Sequence, residues 1–138
     1  MNQKMYKLEF LFKALADHTR LRLINLIGSS EVCVCFFVSV LKTSQPKISR
    51  HLAYLRRAGL VAARREGKWM HYRLTDPPDR HAARIFHEVR DALAEHPDLQ
   101  RDRERLREVC CATQLPVQLR RAPKPTVTKQ KPTAAAVL

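Results

Sequence analysis

Glycine and acidic residues are scarce in this chain of 138 residues, which has 3 glycines and 13 Asp and Glu. None of the glycines belongs to a glycine-rich loop of the kind that cradles a phosphate group. No nucleophile and base occur together in a recognisable catalytic pattern. The sequence therefore predicts that the protein is not an enzyme.

Long apolar runs are also absent. No stretch approaches the ~20 apolar residues that a membrane-spanning helix needs, and the first residues lack the apolar core of a secretory signal. We therefore expect a cytoplasmic protein that does not enter a membrane. Thiols stay reduced in the cytoplasm, so the 4 cysteines, which form two close pairs, indicate soft-ligand binding rather than a disulfide framework.

Basic side chains outnumber acidic ones by 26 to 13, and the excess is concentrated in two segments. Residues 44–74 contain eight lysines and arginines and a single acidic residue, Glu66. The segment from Ala112 onward contains five basic residues and no acidic one. Residues 79–108, in contrast, are close to neutral. This distribution predicts that the two basic segments meet nucleic-acid phosphates.

The hydrophobic pattern predicts a first amphipathic helix with Leu8 and Leu15 near its ends. Asp17 is a suitable N-cap for a second helix that ends at Gly28, and the apolar residues of this helix surround most of its circumference. A third helix is expected from about Cys33 or Val34 to Lys42. The second helix should therefore lie at the centre of the core.

The chain after the basic segment is predicted to form one long helix that starts at Pro77 and Pro78, followed after Pro97 by another helix that reaches about Cys111. From Leu115 the sequence consists largely of Pro, Lys, Thr and Ala without periodicity. We therefore expect one folded domain over residues 1–112 and a basic, disordered tail over residues 113–138.

Residues 44–75 predict a helix followed by a basic hairpin. Pro46 lies in the first turn of the helix and Gly59 follows its end. Two short strands, Val61–Arg65 and His71–Thr75, flank the turn at 66–68. The helix has one narrow apolar stripe, made of Ile48, Leu52 and Leu55. The fold class expected is mainly α with a small β-hairpin wing, a winged helix-turn-helix that reads a DNA major groove.

Several motifs over residues 8–75 resemble the ArsR (ArsR/SmtB) family of winged-helix metalloregulatory repressors. They are LADHTRLRLINLI, SQPKISRHLAYLRRAGLV and GKWMHYRL, and the preceding EVCVC is similar to the cysteine motif of the arsenite-responsive branch. The resemblance implies a homodimeric repressor that pairs through its first and last helices. It further implies binding to a palindromic operator in double-stranded DNA, and release of the operator when an inducer binds.

Residues predicted to contact DNA lie at the start and along the polar face of the recognition helix and in the wing. The start of the helix approaches base edges, whereas Arg57 is expected at a phosphate. The wing cations are expected either in a minor groove or at the backbone, and a solvated surface position is the alternative for each of them. The full set is Ser44, Gln45, Lys47, Ser49, Arg50, His51, Tyr54, Arg57, Arg64, Arg65 and Lys68.

The candidate inducer ligands are the thiols of Cys33, Cys35, Cys110 and Cys111, and the candidate inducer is As(III) or Sb(III). Side chains at i and i+2 diverge by ~200° on a regular helix but share one face of extended backbone. A site shared by Cys33 and Cys35 therefore requires a distorted start to the third helix. The third cysteine of the arsenite branch is replaced here by Val38, so the second pair is the candidate source of another sulfur.

The sequence leaves three alternatives open. The same repressor could sense thiol oxidation or a soft divalent metal such as cadmium or zinc. In the family's zinc-responsive branch a metal site lies on the penultimate helix, but Ala92 occupies the position of its second histidine, and we expect no zinc there. An alternative of another class is a protein that coats nucleic acid without sequence choice.

Overall fold

The computed structural model describes residues 6–111, 119 and 121–127, and for Cys111 it describes the backbone alone. These residues form a mainly α-helical fold with one small antiparallel sheet, which confirms the predicted fold class. None of the helices in the described part of the chain is both long and apolar enough to cross a bilayer. The elements in chain order are α1 (Leu8–Leu15), α2 (His18–Ile27), β1 (Ser30–Cys33), α3 (Val34–Leu41), α4 (Gln45–Arg57), β2 (Val61–Glu66), β3 (Trp69–Leu74), α5 (Arg80–Ala94), α6 (Pro97–Cys111) and β4 (Thr126–Val127).

Helix α2 lies at the centre of the core, as its apolar circumference predicts. Its last five residues, 23–27, are all buried. The predicted cap is confirmed, because the Asp17 carboxylate accepts a hydrogen bond from the Arg20 amide at 3.0 Å. The one polar residue in the buried run, Asn25, donates from its side-chain amide to the Leu99 carbonyl at 2.8 Å, so its burial leaves the amide satisfied.

Helix α6 is attached to α2 by a charged contact as well as by apolar packing. The Arg22 guanidinium donates two hydrogen bonds to the Asp102 carboxylate, at 2.7 and 3.0 Å. The Asp102 side chain is only 4% exposed, so this pair is held away from most of the solvent. Leu99 and Leu106 of the same helix are buried beside it.

Strand β1 was not predicted from the sequence. It is extended because residues 30–33 hydrogen-bond to a neighbouring strand on each edge, and the sheet order is β2-β3-β1-β4. Cys33 is the last residue of β1 and lies opposite His71 of β3. The start of α3 is therefore joined directly to the wing.

The wing hairpin has slightly different bounds from those predicted. Its strands extend to Glu66 and begin again at Trp69, so the two-residue turn is Gly67-Lys68. Gly67 has a φ of 58°, which glycine adopts without strain. Gly59, just after α4, has a φ of 79°, and a Cβ there would meet Pro77 at 3.4 Å.

Helix α5 does not begin at the two prolines, as the sequence suggested. It begins at Arg80, because the Asp79 carboxylate caps it by accepting from the Ala82 amide at 2.9 Å. Pro77 and Pro78 instead form the turn that packs beside Gly59.

The basic tail contains ordered contacts where the structure describes it. Leu119 is fully buried and Ala122 is 9% exposed, and β4 pairs with β1 through Ser30 and Glu31. These residues differ from the prediction of a tail without structure, and β4 pairs along the edge of the sheet beside β1. The domain boundary at residue 112 stays a prediction, since residues 112–118, 120 and 128–138 lie outside the described part.

Candidate functional site

Helix α4 buries one face and leaves the opposite face exposed, as its narrow stripe predicts. Ile48, Leu52 and Leu55 are fully buried. The exposed positions include five of the residues predicted to contact DNA. They are Ser44, Gln45, Lys47, Arg50 and Arg57, with Ser49 partly exposed. Pro46 lies in the first turn, where an amide hydrogen would have no partner within the helix.

His51 and Tyr54 were predicted to contact DNA, but their side chains contact Arg20 of helix α2. The His51 Nδ1 atom lies 3.3 Å from a terminal nitrogen of Arg20. The Arg20 guanidinium also covers the Tyr54 ring, 4.2 Å from its centroid. Both side chains are partly buried, so they are less accessible than Lys47 and Arg50.

The wing cations differ from one another in their partners. Arg64 donates to the buried Glu31 carboxylate of β1, with its Nε at 2.9 Å, and it also contacts Glu66 at 3.3 Å. The hydrogen bond from Arg64 holds the pKa of Glu31 below its usual range. Arg65 and Lys68 are exposed near the tip of the hairpin, where Arg65 donates to the Gly67 carbonyl at 3.1 Å.

A groove of about 500 Å³ lies between α4 and the wing, and it contains residues that the sequence did not indicate. It is lined by Ser49, Ala53, Arg56, Arg57 and Tyr72. The sequence did not single out Arg56, because Arg56 and Arg57 are adjacent and equally basic. Whether Arg56 lines the groove depends on the position of β3. Its exposed guanidinium makes this groove a candidate phosphate contact beside the recognition helix.

The thiols of Cys33 and Cys35 are in contact. Cys33 has extended backbone angles, φ −71° and ψ 142°, and serves as the N-cap of α3. This geometry turns its side chain toward the first turn of the helix, and the Cys35 thiol donates a hydrogen bond to the Cys33 sulfur at 3.2 Å. Because α3 begins at Val34 and Cys33 is extended, the two thiols meet at the junction of the strand and the helix.

This contact shifts the pKa values of the two thiols in opposite directions. The hydrogen bond from Cys35 lowers the pKa of Cys33 from 9.0 to about 7, and backbone amides including that of Met70 act in the same direction. The same hydrogen bond, together with burial, raises the pKa of Cys35. Cys33 therefore ionises first, so a thiolate forms there at a lower pH than at an ordinary cysteine, while Cys35 keeps its proton. Such a thiolate is the form that binds soft metals and metalloids.

No third donor completes this pair within the described residues. There, no three His, Cys, Asp or Glu side chains are grouped so that they hold one ion. Cys110 is partly buried at the end of α6, and the Cys111 side chain lies outside the described residues. Val38, which replaces the expected third cysteine, is packed against the core one turn after Cys35.

These elements define a class of protein. A helix-turn-helix of α3 and α4, an exposed basic face on α4 and a basic β-hairpin together form a winged helix-turn-helix of the kind found in DNA-binding transcriptional regulators. The model of the family described as "Bacterial regulatory protein, arsR family" matches residues 17–63.

The chain belongs to this arsR family, whose members are transcriptional regulators rather than enzymes. It is 52% identical over 80 residues to the arsenical resistance operon repressor of Escherichia coli (strain K12). That match covers 57% of this chain and 68% of the relative.

Two other relatives match shorter segments. The arsenic resistance transcriptional regulator ArsR1 of Pseudomonas putida is 55% identical over 65 residues, which are 46% of this chain and 51% of that protein. A Staphylococcus aureus homologue of the cadmium resistance regulatory protein CadC is 36% identical over 67 residues, 48% of this chain and 55% of that one. This chain thus spans about half the length of these two relatives.

Solved structures show the same fold. HlyU from Vibrio cholerae N16961 superposes with a TM-score of 0.56 at 29% identity, over 69% of this chain and all 100% of that one. The homodimeric winged helix-turn-helix DNA-binding domain of Mb0332 from Mycobacterium bovis gives a TM-score of 0.52 at 31% identity. It covers 65% of this chain and 81% of the Mb0332 fragment.

Proposed function

We propose that a homodimer of this protein represses transcription by binding a palindromic operator and releases it when trivalent arsenic or antimony binds Cys33 and Cys35. The observation that carries the proposal is the contact between the two thiols, 3.2 Å apart at the junction of β1 and α3. The relative named as an arsenical resistance operon repressor supports the choice of inducer.

The DNA-binding part of the proposal rests on charge and exposure. Lys47 and Arg50 project from the first half of α4, where a recognition helix approaches base edges, and Arg65 and Lys68 extend the basic surface onto the wing. Arg56 and Arg57 border the groove at the end of the same helix and are assigned to the DNA backbone. The protein thus offers both base contacts and sequence-independent phosphate contacts.

The dimer part of the proposal rests on helix α1. Leu8 and Phe12, one turn apart on the same face of the helix, are 43% and 53% exposed, while Leu11 and Ala14 on another face are buried. Two large apolar side chains exposed on one face of a short helix suit a protein interface. Pairing two copies through α1 would produce the twofold symmetry that a palindromic operator needs.

Binding of the inducer would exchange hydroxide for sulfur. Each As–O bond that breaks is replaced by an As–S bond, and the departing hydroxide leaves as water with the proton of the thiol or, where the sulfur is already a thiolate, with a proton from the solvent. Because Cys33 ionises at a lower pH than Cys35, the first exchange should occur there. Ligation would remove the Cys35 hydrogen bond and draw the start of α3 toward Cys33. Helix α3 packs against α4, and Cys33 pairs with β3, so both DNA-contacting elements would move.

The test is an arsenite titration of the protein bound to an operator selected from a pool of random DNA. The Cys33→Ser, Cys35→Ser protein should bind this operator and no longer release it, because serine has the shape of cysteine without a soft sulfur. The Cys110→Ser, Cys111→Ser protein should need more arsenite if that pair supplies a third sulfur. Val38→Cys lies one turn from Cys35 and should reduce that dependence.

Two results would contradict the proposal. If the Cys33→Ser, Cys35→Ser protein still releases the operator at the parent's arsenite concentration, sensing does not occur at this pair. If the parent selects no DNA sequence and binds all DNA equally, the protein coats nucleic acid without sequence choice.

A second candidate is the same repressor responding to a soft divalent metal or to thiol oxidation. Two thiols in contact also suit cadmium or zinc, and the CadC homologue is a relative at 36% identity. Competition among arsenite, antimonite, cadmium and zinc for the reduced protein, with a parallel oxidant titration, separates these signals. Release of the operator at the lowest concentration by cadmium would favour the second candidate.

A further inference from the structure

The Arg20 side chain of α2 contacts two other helices, α1 and α4. Its Nε donates to the Ala14 carbonyl at 2.8 Å, and one terminal nitrogen donates to the Lys13 carbonyl at 2.8 Å. Both acceptors lie in the last turn of α1, where helix carbonyls have no partner within the helix. The side chain is 12% exposed. Arg20 therefore caps the C-terminus of α1 from a position inside the fold.

The same guanidinium contacts the recognition helix. Its other terminal nitrogen lies 3.3 Å from Nδ1 of His51, and the group covers the Tyr54 ring at 4.2 Å. The planar fork of arginine allows donation at its edge and stacking on its face at the same time. One buried side chain thus fixes the end of α1 against the middle of α4.

A second contact joins the start of α1 to the C-terminal end of α4. The Tyr6 hydroxyl, two residues before α1, donates to the carbonyl of Ala58, which caps α4, at 2.9 Å. Two attachments at separate points along each helix define the direction of one helix relative to the other, whereas one attachment leaves it free to rotate.

We propose that Arg20, with Tyr6 as its counterpart, is the positioning residue that sets the half-site spacing accepted by the dimer. This inference rests on the proposed function, in which two copies pair through α1. The separation of the two α4 helices then depends on how α4 is held relative to α1, and the twofold axis doubles any deviation. Arg20 acts through α4 and does not itself contact DNA.

The experiment compares Arg20→Lys with Arg22→Lys in the full chain. Both arginines lie on α2 and both donate forked hydrogen bonds, but Arg22 binds Asp102 of α6 and not α4. Lysine keeps the charge, so the attraction to phosphate is unchanged, but one ammonium cannot reproduce the fork. Affinity is measured for three DNA duplexes, which are the selected operator, the same operator with one base pair inserted between half-sites, and a scrambled sequence.

Arg20→Lys should lower affinity for the selected operator about tenfold, the size expected for lost hydrogen bonds to a charged group. Affinity for scrambled DNA should stay within about twofold, because that binding depends on net charge. The preference for the natural spacing over the inserted base pair should fall by a similar factor. Arg22→Lys should leave this preference unchanged, even if its thermal stability decreases as much.

Tyr6→Phe removes one hydroxyl and keeps the packing, so it provides a milder test. It should reduce the spacing preference in the same direction as Arg20→Lys. An unchanged preference in both variants, or an equal loss in Arg22→Lys, would overturn the inference. A parent that selects an operator but tolerates the inserted base pair would also overturn it. A parent that selects no sequence would instead overturn the proposed function.

Discussion

The Cys35 thiol controls the charge of Cys33 through a single hydrogen bond. Because this bond stabilises the thiolate, it is the largest cause of the lowered pKa of Cys33, about 7. A variant that retains a donor at position 35 should retain the low pKa, and a variant without a donor should lose it. Cys35→Ser and Cys35→Ala are such a pair.

We therefore predict that the thiolate absorbance of Cys35→Ala rises at a higher pH than that of Cys35→Ser. The ultraviolet absorbance is followed during a pH titration of the reduced proteins, and it does not require reagent access to the buried sulfur of Cys33. The direction follows from the sign of the effect, since removing a donor to an anion raises its pKa. Cys110→Ser provides the control and should leave the low-pH step in place. Identical curves for the two Cys35 variants would show that backbone amides alone lower the pKa.

For single residues, the sequence predicted which side chains are exposed better than it predicted which other side chains they contact. The stripe of Ile48, Leu52 and Leu55 fixed which face of α4 is exposed, because helical periodicity depends on local spacing alone. The contact between His51 and Arg20 joins residues 31 positions apart, so no local pattern indicates it. The same limit applies to the pairing of Arg64 with Glu31.

At the scale of elements, β1 connects the thiol pair to the wing. The helical pattern of α3 could be read from the sequence, but β1 has only four residues, and its extended form depends on pairing with β3 and β4. The sequence indicated that Cys33 and Cys35 could share a site only if Cys33 lies outside a regular helix. It could not indicate that Cys33 belongs to a strand. The Glu31–Arg64 ion pair joins the same strand to β2, across the sheet.

Arg64 is paired with two carboxylates, whereas Arg65 donates to a backbone carbonyl. The two wing cations should therefore respond differently to substitution. Arg65→Ala should weaken binding to all DNA and lower the salt dependence by ~0.9 per lost phosphate contact. Arg64→Ala should change the salt dependence less, because its guanidinium already neutralises Glu31 and Glu66. Instead it should leave the Glu31 carboxylate without its principal partner and reduce thermal stability. The measurement is affinity at several salt concentrations together with thermal unfolding, and equal salt slopes for the two variants would contradict the assignment.

At the scale of the whole molecule, the exposed apolar side of α1 should determine the oligomeric state. Phe12→Glu places a charge among side chains that are about half exposed in one copy, so the isolated fold should tolerate it. In a dimer the same carboxylate would be buried without a partner, which is costly. We predict that Phe12→Glu is folded, monomeric in sedimentation and unable to bind the selected operator tightly. Val127→Glu introduces the same charge at an exposed apolar side chain outside α1 and should leave the dimer intact. A dimeric Phe12→Glu protein would place the interface elsewhere.

The C-terminal tail has two separable contributions to the whole molecule, one to charge and one to packing. Deleting residues 128–138 removes Lys129 and Lys131 and should reduce the salt dependence of DNA binding.

Deleting residues 116–138 removes five basic residues and also the fully buried Leu119 and strand β4. The longer deletion should therefore lower the free energy of unfolding as well, by ~1.5–3 kcal/mol for the leucine alone. Denaturant unfolding and salt titrations of both proteins measure the two effects. Leu119→Ala in the full chain separates them, because it should lose stability and keep the full salt dependence. If the longer deletion is as stable as the shorter one, Leu119 and β4 contribute nothing to the fold, and the tail acts through its charge alone.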